Sequence, residues 1–327
     1  MNQPKRNQRF EADKDFASPS LSAPNLWVPP LPPMNSRAKI LAVLALALVS
    51  AAVFAQFRSG RFRGEGSYSG SGYPKTAREA EQHSNETPMW TNAPAFKKDV
   101  FTFCRIRYTS SYGYGGRSRG GWSTDFPDAD LNLSYRLQQM TSLKVDPLGR
   151  LLTIEDPDMF NYPWVYMVEV GALRFSDEEV PIMRKYLLNG GFLMVDDFWG
   201  ELELANFIRE IKRVFPEREA IELEMDHPIF HTVFPIKRTK NEMQCPNIYT
   251  GTQSEYTGIT WEREDARDVH FKGIFDDKGR MMVFIAHNTD NGDGWEREGE
   301  NEYYFKEFSE KRAYPLGINV IFYAMTH

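Results

Sequence analysis

Between residues 176 and 200 the hydrophobic pattern changes period twice, and each change predicts an element. Ser176 followed three residues later by Glu179 is a capping box, which predicts a helix start. Val180, Met183, Leu187 and Leu188 then recur at helical spacing and give that helix one apolar face. Asn189, Gly190 and Gly191 end it, because glycine enters the left-handed region without a Cβ clash, so both glycines are expected to be structural. Phe192-Leu193-Met194-Val195 is unbroken apolar text, as in a strand buried on both faces. Two carboxylates, Asp196 and Asp197, follow it, and a second amphipathic helix is predicted over 201–215, burying Leu204, Phe207, Ile208, Ile211 and Phe215. Helix, glycine turn, buried strand, acidic tip, helix is the repeating unit of an open parallel α/β sheet.

Elsewhere the pattern is shorter but of the same kind. Residues 100–108 and 151–155 read as strands, and Trp164-Val165-Tyr166-Met167-Val168-Glu169-Val170 as a buried one. Leu131, Leu133, Leu137 and Met140 place a helix after Pro127, and 316–325 is an apolar helix expected to dock on the sheet. Residues 269–275 and 280–287 flank Asp276-Asp277-Lys278-Gly279, which predicts a late β-hairpin. Asp226-His227-Pro228-Ile229-Phe230-His231 reads as a compact turn fixed by His227 and Pro228, since proline withholds a backbone donor.

The first hundred residues carry none of this periodicity. Residues 1–33 are polar and proline-rich and read as a disordered extension, or as a mis-assigned start ahead of Met34. Arg37 and Lys39 then precede an apolar run over 40–55 that ends Val53-Phe54-Ala55, the pattern of a signal peptide over 34–55 cleaved before Gln56. A single transmembrane helix normally needs about 20 apolar residues, so it is the alternative. Either reading exports the rest of the chain to the periplasm or cell envelope; membrane attachment follows only if the segment stays uncleaved. Residues 56–98 are Gly-, Ser- and Arg-rich at first and read as a flexible linker, with the folded domain over 99–327.

Charge divides the chain at the same place. Residues 1–98 hold 13 basic and 7 acidic residues, whereas the remainder holds 26 and 38. A folded part that acidic is a poor match for phosphate backbones, so nucleic acid is excluded as an expected partner. Two cysteines, Cys104 and Cys245, are too few for a disulfide scaffold; they could pair once or remain buried thiols.

Candidate chemistry gathers at the predicted strand ends. Trp122 and Asp125 follow the first strand, Glu169 ends the second buried strand, Asp196 and Asp197 the third, and His287 and Asp290 the last. Ligands in open α/β sheets bind beyond the carboxyl ends of the strands. Paired carboxylates there suit a divalent cation at Asp196 and Asp197, or general acid/base work. Asp196→Asn is then expected to leave the fold intact, whereas an Asp197 that only caps the following helix is structural. Asp290-Asn291-Gly292-Asp293-Gly294 lacks the full calcium-loop order and reads as a turn. His227 and His231 lack the intervening glutamate of a zinc helix, and no Gly-x-Ser-x-Gly elbow is present.

With those residues in view, the chain resembles the bacterial family known as domain of unknown function 4159, from about residue 100 to 327. The resemblance is carried by Gly-Trp-Ser-Thr-Asp-Phe-Pro-Asp-Ala-Asp at 121–130, by 189–200, by Asp226-His227-Pro228-Ile229-Phe230, and by His287-Asn288-Thr289-Asp290. It implies a flavodoxin-like three-layer sandwich similar to the class I glutamine amidotransferases, and it supplies no activity. Working members of that superfamily carry a nucleophilic cysteine at a turn after a central strand; here the comparable turn holds Asp196-Asp197, so amidotransferase activity is not expected. Non-amidotransferase relatives imply a binding or assembly role. The expected function is therefore recognition of a polar ligand, such as a glycan, or of an envelope protein. Trp122, Trp199 and Trp295 are available for sugar stacking. The alternative is a metal-assisted hydrolase using Asp196, Asp197, His287 and Asp290, which requires those four side chains to converge.

Overall fold

The computed structural model describes residues 72–83, 86–96, 99–110 and 121–327. The segments read above as an extension and a signal peptide lie outside the described residues. Among those described, no helix is long and apolar enough to cross a membrane.

A seven-stranded, mostly parallel sheet forms the centre. Its strands are β1 (Cys104–Ile106), β2 (Arg150–Leu152), β3 (Trp164–Val168), β4 (Phe192–Asp196), β5 (Ile221–Glu222), β6 (His270–Phe275) and β7 (Met281–His287). They lie in the order β2-β1-β3-β4-β7-β6-β5. The first four pairings along that order are parallel, and the last two, β7 with β6 and β6 with β5, are antiparallel. All residues of β3, β4 and β7 are buried, which is why these strands read as continuous apolar runs rather than alternating ones.

Successive side chains of each strand feed different cores. Val165, Met167, Leu193, Val195, Val283 and Ile285 pack with Met183 and Leu187 of α2 (Glu179–Leu188) and with Phe207, Ile211 and Val214 of α3 (Gly200–Val214). Trp164, Tyr166, Phe192, Met194, Phe284 and Ala286 belong to the other core. They pack with Leu133 and Leu137 of α1 (Asp128–Met140) and with Leu316, Ile318, Val320 and Ile321 at the C-terminal end. Further helices of six or more residues are α4 (Ile248–Thr257), α5 (Asn291–Glu296) and α6 (Tyr314–Thr326), the last preceded by a π-helical stretch, Phe305–Ala313.

Local signals in the sequence are realised as bonds. The Ser176 amide donates to Glu179 Oε2 at 2.8 Å and the Glu179 amide to Ser176 Oγ at 3.1 Å, completing the capping box. Gly190 has φ +104°, a conformation in which side-chain-bearing residues are strained, and a Cβ on Gly191 would collide with the Tyr186 ring. The Ile229 amide donates to His227 Nδ1 at 3.2 Å, fixing the turn at Pro228.

Three expectations need correction, and the alternative left open for the two cysteines is decided. Leu188, placed on the apolar face of α2, is 42% exposed; Tyr186 is buried instead, with its hydroxyl donating to the Tyr162 carbonyl. The Asp290–Gly294 turn is helical, because Asp290 Oδ1 accepts the Asp293 amide at 2.7 Å and caps α5. Cys104 and Cys245 are both free and buried, and burial pushes both thiols up, Cys245 to about 12. The expected linker over 56–98 contributes to the domain from residue 72 onward. There Ala77 is buried, Arg78 donates to the carbonyls of Pro147, Thr87 and Pro88, and Thr87 Oγ1 donates to Asn132 Oδ1.

Candidate functional site

The carboxyl ends of β3, β4 and β7 are in register: Val168 lies beside Asp196, and Val195 beside Ile285. The residue after each strand has a left-handed backbone although none is glycine. Glu169 has φ +51°, Asp197 +53° and Asn288 +62°, and Asp125, ahead of α1, has +62°. Non-glycine residues adopt this region at a conformational cost, and such strain clusters at functional sites.

Asp196 and Asp197 take opposite roles. Asp196 is wholly buried, and both its oxygens are used by the segment that begins α5. Oδ2 accepts the amides of Asn291 at 2.9 Å and Gly292 at 3.1 Å, and Oδ1 accepts Asn291 Nδ2 at 2.8 Å. Tyr166 Oη donates to Oδ2 at 3.3 Å. Burial raises this carboxyl to about 7, against the pull of those donors. It is a brace between strand and helix. Asp197 does not cap α3: the Glu201 amide at that helix start donates to Asp265, and the Trp199 amide to Glu203. Asp197 Oδ1 instead accepts the indole N–H of Trp199 at 2.9 Å.

Asp197 stands in a group with Asp125 and Asp290, one carboxylate oxygen of each lying within 4.8 Å of the others, and all three are buried. Asp125 also belongs to a second triad with Asp293 and Glu296. Burial raises the carboxyls of Asp125, Asp197 and Asp290 far above their usual range, and each is pushed further by neighbouring carboxylates. Glu169, held by Thr124 Oγ1 at 3.1 Å, is raised by burial to about 7, with Glu203 and Glu262 adding to the effect. Glu262 is raised as well, and its Oε1 accepts the Asn247 amide at 2.7 Å.

Positive charge is supplied from two sides. The Arg105 guanidinium, fully buried in β1, grips Asp130 through Nε at 2.9 and 3.1 Å and through Nη2 at 2.5 Å. Its Nη1 donates to the carbonyls of Trp122 and Thr124 at 2.9 and 2.8 Å, which fixes the backbone immediately before Asp125. Arg297 Nε lies 3.1 Å from Asp293 Oδ1 and 2.7 Å from Glu296 Oε2, inside the second triad.

Of the seven residues expected at the cleft, Asp125, Glu169, Asp197 and Asp290 come together. Trp122 is half-buried near them, edge-on to Phe126 and Tyr73. His287 turns elsewhere: Nε2 donates to the Gly200 carbonyl at 3.1 Å, the ring packs 4.9 Å from Phe198, and burial lowers it to about 4. The four side chains of the expected hydrolase therefore do not converge; Asp197 and Asp290 do. Trp199 and Trp295 are buried, which leaves Trp122 as the tryptophan of the three with a surface to offer. Sequence reading missed Glu262, Asp293, Glu296, Arg105 and Asp130. The Asp293 signal lay in the acidic glycine loop read as a turn, and Asp130 closed the 121–130 segment that carried the family resemblance; nothing local marked the others.

No curated protein matches this chain. A family model does match it across residues 102–325, from just before β1 into α6, and the chain belongs to the family described as domain of unknown function (DUF4159).

Proposed function

We propose that the domain recognises a hydroxyl-rich polar ligand, a glycan being the class that fits best, at the carboxyl edge of β3, β4 and β7. The observation that carries this reading is the convergence of Asp125, Asp197 and Asp290, all buried, with the half-buried Glu169, each with a carboxyl raised above its usual range. Close-set carboxyl oxygens can meet sugar hydroxyls, while the acidic surroundings disfavour phosphorylated or otherwise anionic ligands. The five parallel strands in the order β2-β1-β3-β4-β7 follow the flavodoxin-like 2-1-3-4-5 pattern and support an amidotransferase-like ancestry for this edge. The apolar run ending Val53-Phe54-Ala55 supports export to the cell envelope.

The test is a thermal-shift and calorimetric screen of neutral and amino-sugar oligosaccharides against phosphorylated sugars. A neutral or amino-sugar ligand should raise the melting temperature of the wild type, and Glu169→Gln should weaken that response. Absence of any response, or preference for the phosphorylated sugars, overturns the reading. N-terminal sequencing of the protein from its native cell should begin at Gln56; a mature chain retaining residues 40–55 overturns the cleavage.

A second reading, metal-assisted hydrolysis, is favoured by Glu169, whose carboxyl near 7 suits a general base at neutral pH. Slow turnover of a bound oligosaccharide, lost in Glu169→Gln with binding retained, would select it.

A further inference from the structure

The two carboxylate triads share Asp125 but differ in one respect. Arg297 sits within the Asp125–Asp293–Glu296 group, bonded to two of its three members, and so provides that triad with a fixed cation. At Asp197 and Asp290 the hydrogen bonds come from donors without charge, the Trp199 indole and the Asp293 amide, while the Arg105 and Arg297 guanidiniums act on Asp125 through space without a hydrogen bond to it. Asp125 adds a separate indication. It is 8% exposed, and its Oδ2 accepts no hydrogen bond among the described residues. Leaving a buried carboxylate oxygen without a donor is costly, and buried charges are otherwise paired or bound to metal. Space for that oxygen is kept by Gly292, where a Cβ would collide with Asp125 Oδ2.

We infer that Asp125, Asp197 and Asp290 form the seat of a single hard divalent cation, with Arg297 serving as the permanent positive charge of the adjoining triad. An all-oxygen set of three carboxylates suits Ca²⁺, Mg²⁺ or Mn²⁺. Three protein ligands leave coordination positions open, and a sugar hydroxyl pair is a natural occupant of them. The inference rests on the reading of this edge as the ligand site and identifies what receives the ligand's oxygens there.

The experiment is titration calorimetry of the purified full chain, freed of metal by a chelator, with Ca²⁺, Mg²⁺ and Mn²⁺ in turn. One ion per chain is expected, with affinity reduced at least tenfold in Asp125→Asn and in Asp290→Asn and unchanged in Asp158→Asn, a carboxylate 52% exposed at its side chain. Because a variant could fail to fold, a second measurement leaves the three ligands in place. Tb³⁺ bound at this seat should be sensitised by the Trp199 indole, which bonds directly to Asp197. Trp199→Phe should cut that emission by half or more while calorimetric affinity stays within about threefold. No ion bound by the wild type, two ions per chain, or emission indifferent to Trp199 overturns the inference. Oligosaccharide binding that persists without any cation binding sinks the cation seat alone; cation binding with no oligosaccharide response sinks the ligand reading alone.

Discussion

Replacing Asp196 by alanine tests whether this carboxylate is a brace or a ligand. The side chain accepts three N–H groups, the amides of Asn291 and Gly292 and the Asn291 side chain, at 2.8–3.1 Å in a fully buried setting. Each buried donor left without an acceptor costs roughly 1–3 kcal/mol. Removing a carboxyl that burial has already raised to about 7 returns some desolvation energy, so the lower part of the summed range applies. Asp196→Ala should therefore destabilise by about 3–5 kcal/mol, or roughly 6–20 °C in melting temperature for a domain of this size. Asp196→Asn should recover only part of this, because it points a donor at donors. Urea and thermal unfolding of both variants supply the measurement. A melting temperature within about 1 °C of wild type for Asp196→Ala, or a stabilised Asp196→Asn, would falsify the brace and return Asp196 to the ligand site.

Three further outcomes are expected. His287 stays neutral in the fold, lowered to about 4 from an unfolded value near 6.5, so its contribution is complete above about pH 6.5 and is lost as pH falls toward 4. The stability difference between wild type and His287→Gln should change by roughly 3 kcal/mol across that window, the raised carboxyls contributing equally to both; equal slopes would contradict the assignment. Arg105→Met strips the buried Asp130 carboxylate of its partner and should cost about 3–5 kcal/mol while weakening cation binding through Asp125; a variant as stable as wild type would refute the pairing. Gly190→Val should cost about 1 kcal/mol or more from backbone strain alone, since the space around it is open, and an unchanged midpoint in chemical unfolding would speak against that.

The sequence by itself determined what depends on neighbours along the chain. The capping box at Ser176 and Glu179, the left-handed Gly190, the buried β4 and the His227 turn follow from residues a few positions apart, whose bonds close within one turn or strand. It also placed Asp125, Glu169, Asp197 and Asp290 at a common edge, because the carboxyl ends of parallel strands point one way. What only tertiary structure decided is which oxygen faces which neighbour. Asp196 and Asp197 are adjacent and chemically identical in sequence, yet a left-handed Asp197 and a helix arriving from residue 291 make one a brace and the other a cluster member. Leu188 and Tyr186 exchange roles because the face α2 buries is set by Tyr162 and the Gly191 turn, not by hydropathy alone. His287 ends the right strand but turns toward Gly200, since alternation along a strand assigns each side chain a face that only the packed sheet defines. Arg105 bears no local mark, its partner Asp130 lying 25 residues away, whereas Arg297 meets Asp293 at a helical i,i+4 spacing; only the fold brings both guanidiniums to bear on Asp125.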